Sequence, residues 1–285
     1  MQKLCDGYSL VEGPLWIPGK GLLFSDVLVG GVFCVDPEGK VSTVFEHRRG
    51  IGGMSLHEKG GLIVSGRNIS FKSFDGGPTI TVLDRDEEND LVGFNDITTD
   101  SKGRIYAGSL GSSPVFDDGR EPQAGDLYLI DLDGSSRKVG EDVQLANGLG
   151  VSPDGRTLYH SDTPRRVVNG YEIAEDGSLG PKQVFAQIDE GGPDGLAVSE
   201  DGRVWVALAN GGHGVGVYDP AGDLLEIIKI PQPMCTSVCF GGEDMKDLYI
   251  VTGSGGMDSD RAGAVYKQRV DVAGLVVPKA RVALS

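Results

Sequence analysis

The sequence predicts an all-β, six-bladed β-propeller with four antiparallel strands per blade, on three observations. A strand–turn–strand unit recurs along the chain at spacings of roughly 40 to 50 residues. A second hairpin lies between successive copies. Glycine, at 45 of 285 residues, stands far above its usual share of roughly seven per cent and reads as punctuation between many short strands.

The units follow one another in order. Glu12 opens EGPLWIPGKGLLFSD, with its turn at Gly19 to Gly21, and GVFCVDPEGKVSTVF follows from Gly31. Gly52 opens GGMSLHEKGGLIVSG, and Asn95 opens NDITTDSKGRIYAGS, followed from Gly125 by GDLYLIDLDGSSRKV. Asn147 opens the clearest copy, NGLGVSPDGRTLYHSD. Asp194 opens DGLAVSEDGRVWVAL, followed from Gly214 by GVGVYDPAGDLLEII. The last unit is degenerate and begins near Thr236 as TSVCFGGEDMKDLYIVT. In the four middle copies the turn glycine, Gly60, Gly103, Gly155 or Gly202, falls eight positions after the first residue. Alternating apolar residues around Asp-Gly or Asp-x-x-Gly turns are hairpin chemistry. Two hairpins per repeat make a four-stranded blade, and six blades use nearly the whole chain. No heptad, long helical period or linker interrupts it, so residues 1–285 are expected to form one domain.

In a propeller the innermost strand of each blade lines the central channel, so the first residue of each repeat should converge with its counterparts. That column reads Glu12, Gly52, Asn95, Asn147, Asp194 and Thr236. Carboxylates and carboxamides crowded into one narrow cavity are poorly solvated unless a cation sits among them. Oxygen donors without Cys or His favour a hard divalent ion. Glu12 and Asp194 would neutralise it and Asn147 would add a neutral ligand, with the remaining positions open to water and substrate. Calcium is expected first, with magnesium, manganese or zinc as alternatives.

Other chemistries are disfavoured. The formal charge of −16 argues against nucleic acid and anionic membranes, which need a basic footprint. No uncharged apolar stretch approaches the ~20 residues of a membrane span, and no secretory signal is evident. Cys5, Cys34, Cys235 and Cys239 read as reduced thiols, which with the missing signal suggests a cytoplasmic protein. No Gly-x-Ser-x-Gly occurs, which excludes a nucleophile elbow. The glycines of 211–216 precede a strand rather than a helix, so they are not a dinucleotide loop. His57, His160 and His213 are expected to be surface or satisfied rather than catalytic. Arg48 and Arg49 fall where a loop would overhang the channel mouth. Arg48 is the candidate there for an anionic substrate contact, against a solvated loop.

Taken together, Glu12-Gly-Pro-x-Trp16, Asn147-Gly-Leu with its Pro153-Asp-Gly turn, Pro193-Asp194-Gly195 with Trp205-Val-Ala, and the stretch from Cys235 to Asp244 resemble the regucalcin (SMP-30), gluconolactonase and luciferin-regenerating-enzyme family. The likeness runs from about residue 8 to 270. It implies a six-bladed propeller with one divalent metal, held by Glu12, Asn147 and Asp194, and hydrolysis of a lactone or related ester. It further implies Asp194 as general base and Asn95 as a contact to substrate or metal-bound water. Two positions depart from the sugar lactonases. Gly93 stands where they carry an arginine, and the region Gly111 to Pro114 lacks their acidic residue. Position 93 should therefore leave the substrate pocket roomier, with a substrate less polar than gluconolactone. Two alternatives stay open: Lewis-acid chemistry of another kind on a carbonyl (a lyase, aldol-type or hydration step), and a non-catalytic calcium-binding propeller. The partner expected is a small-molecule substrate. Oligomeric state and the terminus that closes the ring are not encoded in any motif.

Overall fold

The structure, a computed structural model, describes residues 1–85, 91–116, 119 and 121–284. These residues form 24 strands and no helix. Strand β1 spans Gln2–Tyr8. Blade one holds β2 (Val11–Ile17), β3 (Gly21–Asp26), β4 (Val32–Val35) and β5 (Val41–Phe45). Blade two holds β6 (Met54–His57), β7 (Gly61–Val64), β8 (Ile69–Ser73) and β9 (Ile80–Leu83). Blade three holds β10 (Gly93–Thr99), β11 (Ile105–Leu110), β12 (Gly125–Ile130) and β13 (Ser136–Val143). Blade four holds β14 (Ala146–Val151), β15 (Thr157–Asp162), β16 (Val167–Glu172) and β17 (Gln183–Gln187). Blade five holds β18 (Gly192–Val198), β19 (Val204–Ala209), β20 (Gly214–Tyr218) and β21 (Leu224–Lys229). Blade six takes β22 (Cys235–Gly241), β23 (Asp247–Thr252) and β24 (Gly263–Arg269) from the end of the chain.

All six sheets are antiparallel meanders, as the repeat predicts. The sixth is completed by β1, which pairs with β24 from Gln2↔Lys267 to Tyr8↔Gly263. The N-terminus therefore supplies the closing strand. Closure leaves no inner edge exposed to pair with another chain.

The core is divided among the blade interfaces. Trp205 of blade five meets Phe240 of blade six edge-to-face at 5.3 Å. Trp16 of blade one stacks on Tyr249 of blade six, also at 5.3 Å. Four further clusters fill the remaining contacts between neighbours. Each fully buried aliphatic or aromatic side chain contributes about 1.5–3 kcal/mol, so the ring is held by every blade gripping the next.

The last residues cross the end of the channel where the inner-strand turns lie. Gly274 N–H donates to Met245 O and Leu275 N–H to Val198 O, both at 2.8 Å. Farther on, Ala280 N–H donates to Leu56 O and Arg281 N–H to Gly103 O, again at 2.8 Å. The tail thus ties blades five and six to blades two and three, and its Ala280 and Val282 side chains are buried. His57 donates from Nε2 to Val282 O at 3.0 Å and accepts at Nδ1 from Lys59 N–H at 3.2 Å. This histidine is satisfied and structural, far from the opposite mouth of the channel.

Candidate active site

At the start of the inner strands, five of the six blades carry the same local defect. The pairing register shifts between Glu12 and Leu15, Phe94 and Ile97, Ala146 and Leu149, Pro193 and Leu196, and Cys235 and Ser237. A bulge places two residues opposite one and re-aims a side chain that would otherwise follow the pleat. Here Glu12, Asn95, Asn147 and Asp194 line one cavity of about 640 Å³. Thr236, the sixth member of the column, is turned to ring closure instead, its hydroxyl donating to Val11 O at 2.5 Å.

Close strand approach makes the convergence possible. A Cβ at Gly148 would lie 2.5 Å from Asp194 O, and one at Gly195 only 2.0 Å from Ser237 Oγ. The glycine after the axial residue therefore lets neighbouring inner strands nearly touch. Gly52, the blank member of the column, has a different reason: a Cβ there would sit 2.0 Å from Asn95 Oδ1. Blade two gives up its side chain to seat that of blade three.

Asn147 is oriented by a two-step relay. Its Nδ2 donates to Thr163 Oγ1 at 2.6 Å, and that hydroxyl donates to Pro193 O at 2.6 Å. Oδ1 is thereby turned toward Asn95, whose Nδ2 donates to it and, at 2.8 Å, to Ala146 O. Asn95 lines the cavity, yet its amide N–H groups serve to align Asn147.

Burial raises the Glu12 carboxyl well above its ordinary range, and repulsion from Asp194 and Asp96 adds to it. Asp194 is raised for the same reasons, burial first and then Asp96. Asp96 is the residue that reading the sequence missed. Its carboxylate accepts from Ile97 N–H at 2.8 Å and Leu149 N–H at 3.2 Å, pinning β10 to β14, while burial lifts it to about 7. A signal was present: the position after the axial residue is glycine at 13, 53, 148 and 195, but aspartate at 96.

No three His, Cys, Asp or Glu side chains are grouped for a metal among the described residues. The axial set differs from such a group, being two acidic side chains joined by an oriented amide oxygen. Two carboxylates that repel each other, one buried and one half-buried, with a neutral oxygen fixed beside them, fit the donor chemistry of a hard divalent cation.

The other predicted positions fall as follows. Arg48 is absent from the cavity wall; its Nη2 donates to Ser65 O at 3.1 Å and Asn68 O at 2.7 Å. Its neighbour Arg49 lines the cavity instead. Gly93 also lines it, and a side chain there is precluded because a Cβ would lie 2.6 Å from Gly66 O. In the region 111–114, Ser113 and Pro114 reach the cavity and no carboxylate does. His160 departs from the expectation of a surface or satisfied ring. It is fully buried, neither ring nitrogen has a partner among the described residues, and burial lowers it to about 4. It does not line the cavity. All four cysteines are free.

A six-bladed propeller whose bulged inner strands deliver two carboxylates and two carboxamides to one mouth of its channel defines a class of oxygen-lined cavity of small-molecule size. The chain belongs to the family described as SMP-30/Gluconolactonase/LRE-like region, whose match spans residues 10–254. It is 33% identical to a 6-deoxy-6-sulfogluconolactonase of Pseudomonas putida, over 94% of each chain. It is 31% identical to regucalcin of Xenopus laevis, over 91% of this chain and 90% of the relative. Among solved structures it superposes on a luciferin-regenerating enzyme with a TM-score of 0.86 at 23% identity, over 98% and 97% of the two chains. That last likeness concerns the fold.

Proposed function

We propose that this protein is a divalent-metal-dependent hydrolase that opens a lactone or related ester. The observation that carries the reading is the pairing of half-buried Glu12 and buried Asp194 with the oriented amide of Asn147 at the cavity wall. The lactonase named among its relatives supports the reaction class. Glu12, Asn147 and Asp194 would hold the ion, calcium first, with magnesium, manganese or zinc able to replace it. When bound, such an ion polarises a carbonyl and acidifies water.

The protein's own groups do the rest. Asp194 takes a proton from water as the water oxygen attacks the lactone carbonyl. The ring C–O bond then breaks, and that proton passes to the departing alkoxide, leaving a hydroxy acid. Asn95 keeps Asn147 in register. Gly93 and the carboxylate-free 111–114 loop offer little to sugar hydroxyls, which supports a substrate less polar than gluconolactone over that part of its surface. Four free thiols support a reducing, cytoplasmic setting, and the closed ring supports a single domain over residues 1–285.

The test is chelator-controlled turnover on sugar aldonolactones, aliphatic lactones and aryl esters, each with and without calcium, manganese and zinc. Metal-restored opening of any lactone establishes the class. Silence across the panel by a protein shown to bind metal would reject hydrolysis.

A further inference from the structure

The cavity is electrically two-sided. Glu12 and Asp194 lie at the axis, whereas Arg49, Arg67 and Arg85 line the same cavity from the loops of blades one and two. In a chain of net charge −16, three arginines on one wall stand out from the surrounding composition.

Arg49 is held ready for a ligand. Its Nε donates to Leu28 O at 2.6 Å and its guanidinium lies 4.9 Å from the centre of the Phe116 ring. Neither contact neutralises the charge, and neither uses the terminal NH2 groups. A guanidinium anchored at Nε and stacked on a ring presents a fixed fork of donors, the geometry that matches a phosphate or carboxylate.

Arg67 is placed by the backbone next to it. Phe94 N–H donates to Gly66 O at 2.7 Å and Gly66 N–H to Phe94 O at 3.1 Å, so the chain entering Arg67 is locked against β10. The Arg67 Cα would stand 3.2 Å from a Cβ at position 93. Close backbone packing at Gly93 therefore sets Arg67 beside the start of β10. A neighbouring groove of about 400 Å³ shares Arg67 and Arg85 with the cavity and is completed by Asn68 and Asp84. Arg67 and Arg85 also keep contacts within the protein, as arginines in binding sites commonly do while donating to a ligand from their remaining N–H groups.

We propose that the substrate carries an anionic oxygen group, a phosphate or carboxylate, remote from its reacting carbonyl, and that Arg49 and Arg67 bind that group. This rests on the lactone hydrolase reading and narrows it. The arginine wall draws the anion to one side of the cavity, away from the axis, so one charge sets the orientation of the whole molecule. A cavity that offers few partners to sugar hydroxyls can still hold one anionic group, which the arginines bind.

The experiment compares D-glucono-1,5-lactone with its 6-phosphate, and separately measures binding of the open products, D-gluconate and its 6-phosphate, by calorimetry on the metal-loaded protein. The expected result is a kcat/KM at least tenfold higher for the phosphorylated lactone and a matching gain in product affinity. Both gains should shrink about tenfold or more in Arg49→Gln and Arg67→Gln, the loss of one charge-assisted contact. Raising ionic strength should weaken the phosphorylated compound selectively. Equal product affinities in the wild-type protein would overturn the proposal without relying on any variant. No turnover of either lactone, with the phosphorylated product still bound more tightly, would reject hydrolysis and leave anion recognition supported.

Discussion

The amide of Asn147 and the hydroxyl of Thr163 are joined at 2.6 Å, and the same hydroxyl reaches across to Pro193 O in the next blade. One threonine thus sets which atom of the axial asparagine faces the channel, and links it to the residue before Asp194. Thr163→Val keeps the side-chain shape and removes the relay. Metal affinity should drop about ten- to a hundredfold, as when the outer partner of a ligand is lost, with secondary structure unchanged. Calorimetric titration of the metal checks it; wild-type affinity would mean Asn147 orients itself unaided.

Removing a carboxylate from the axis should be more severe for function than for folding. Asp194→Ala is expected to abolish metal uptake and turnover while the propeller stays folded, because the blade interfaces do not depend on this side chain. Metal content after dialysis and circular dichroism together decide the matter. Full metal-stimulated turnover by the variant would show that the site lies elsewhere.

Asp96 makes stability depend on pH in a definite direction. Its carboxyl titrates near 7 in the folded protein against an ordinary value of 3.8. Between those values the folded state binds the extra proton, so stability is greatest below about pH 4 and falls as pH rises toward 7. The slope is at most about 1.4 kcal/mol per pH unit. Asp96→Asn removes this contribution and, by replacing one oxygen that accepts a backbone N–H, should also lower stability at pH 5. Urea midpoints of the metal-free proteins at pH 5 and pH 8 should therefore differ less in the variant. Parallel pH profiles would exclude Asp96 as a source of the dependence.

Gly93 cannot be converted back to an arginine simply. A Cβ there meets Gly66 O at 2.6 Å, and Gly66 is held by two backbone hydrogen bonds to Phe94, one through that oxygen and one through its N–H. Gly93→Ala alone should cost about 1–3 kcal/mol, the usual penalty of overpacking. For a chain of this size that is a melting temperature lower by several degrees. A neutral or stabilising effect would show that β10 can draw away from blade two.

Much of the site was legible because the repeat carries it. Glu12, Asn95, Asn147 and Asp194 share a position in their units, and equivalent positions in a closed ring must face the same axis. The blank at Gly52 was legible as a glycine but not as a seat for Asn95, since that requires knowing how close two inner strands lie. The choice between Arg48 and Arg49 was not legible either. Adjacent residues in an irregular loop follow no period, and only the packed loop decides which one turns inward.

Alternating strands, Asp-Gly turns and a recurring first residue are local properties, and by themselves they determined the blade, its sixfold repetition and the oxygen donors at the axis. Tertiary structure decided what depends on distances between blades: bulges that aim the axial side chains, Asp96 pinning β10 to β14, the N-terminal strand that closes the ring, and the arginines that share the cavity. The first set is written into hydrogen-bonding and side-chain period along the chain. The second arises only when residues far apart in sequence compete for the same few ångströms.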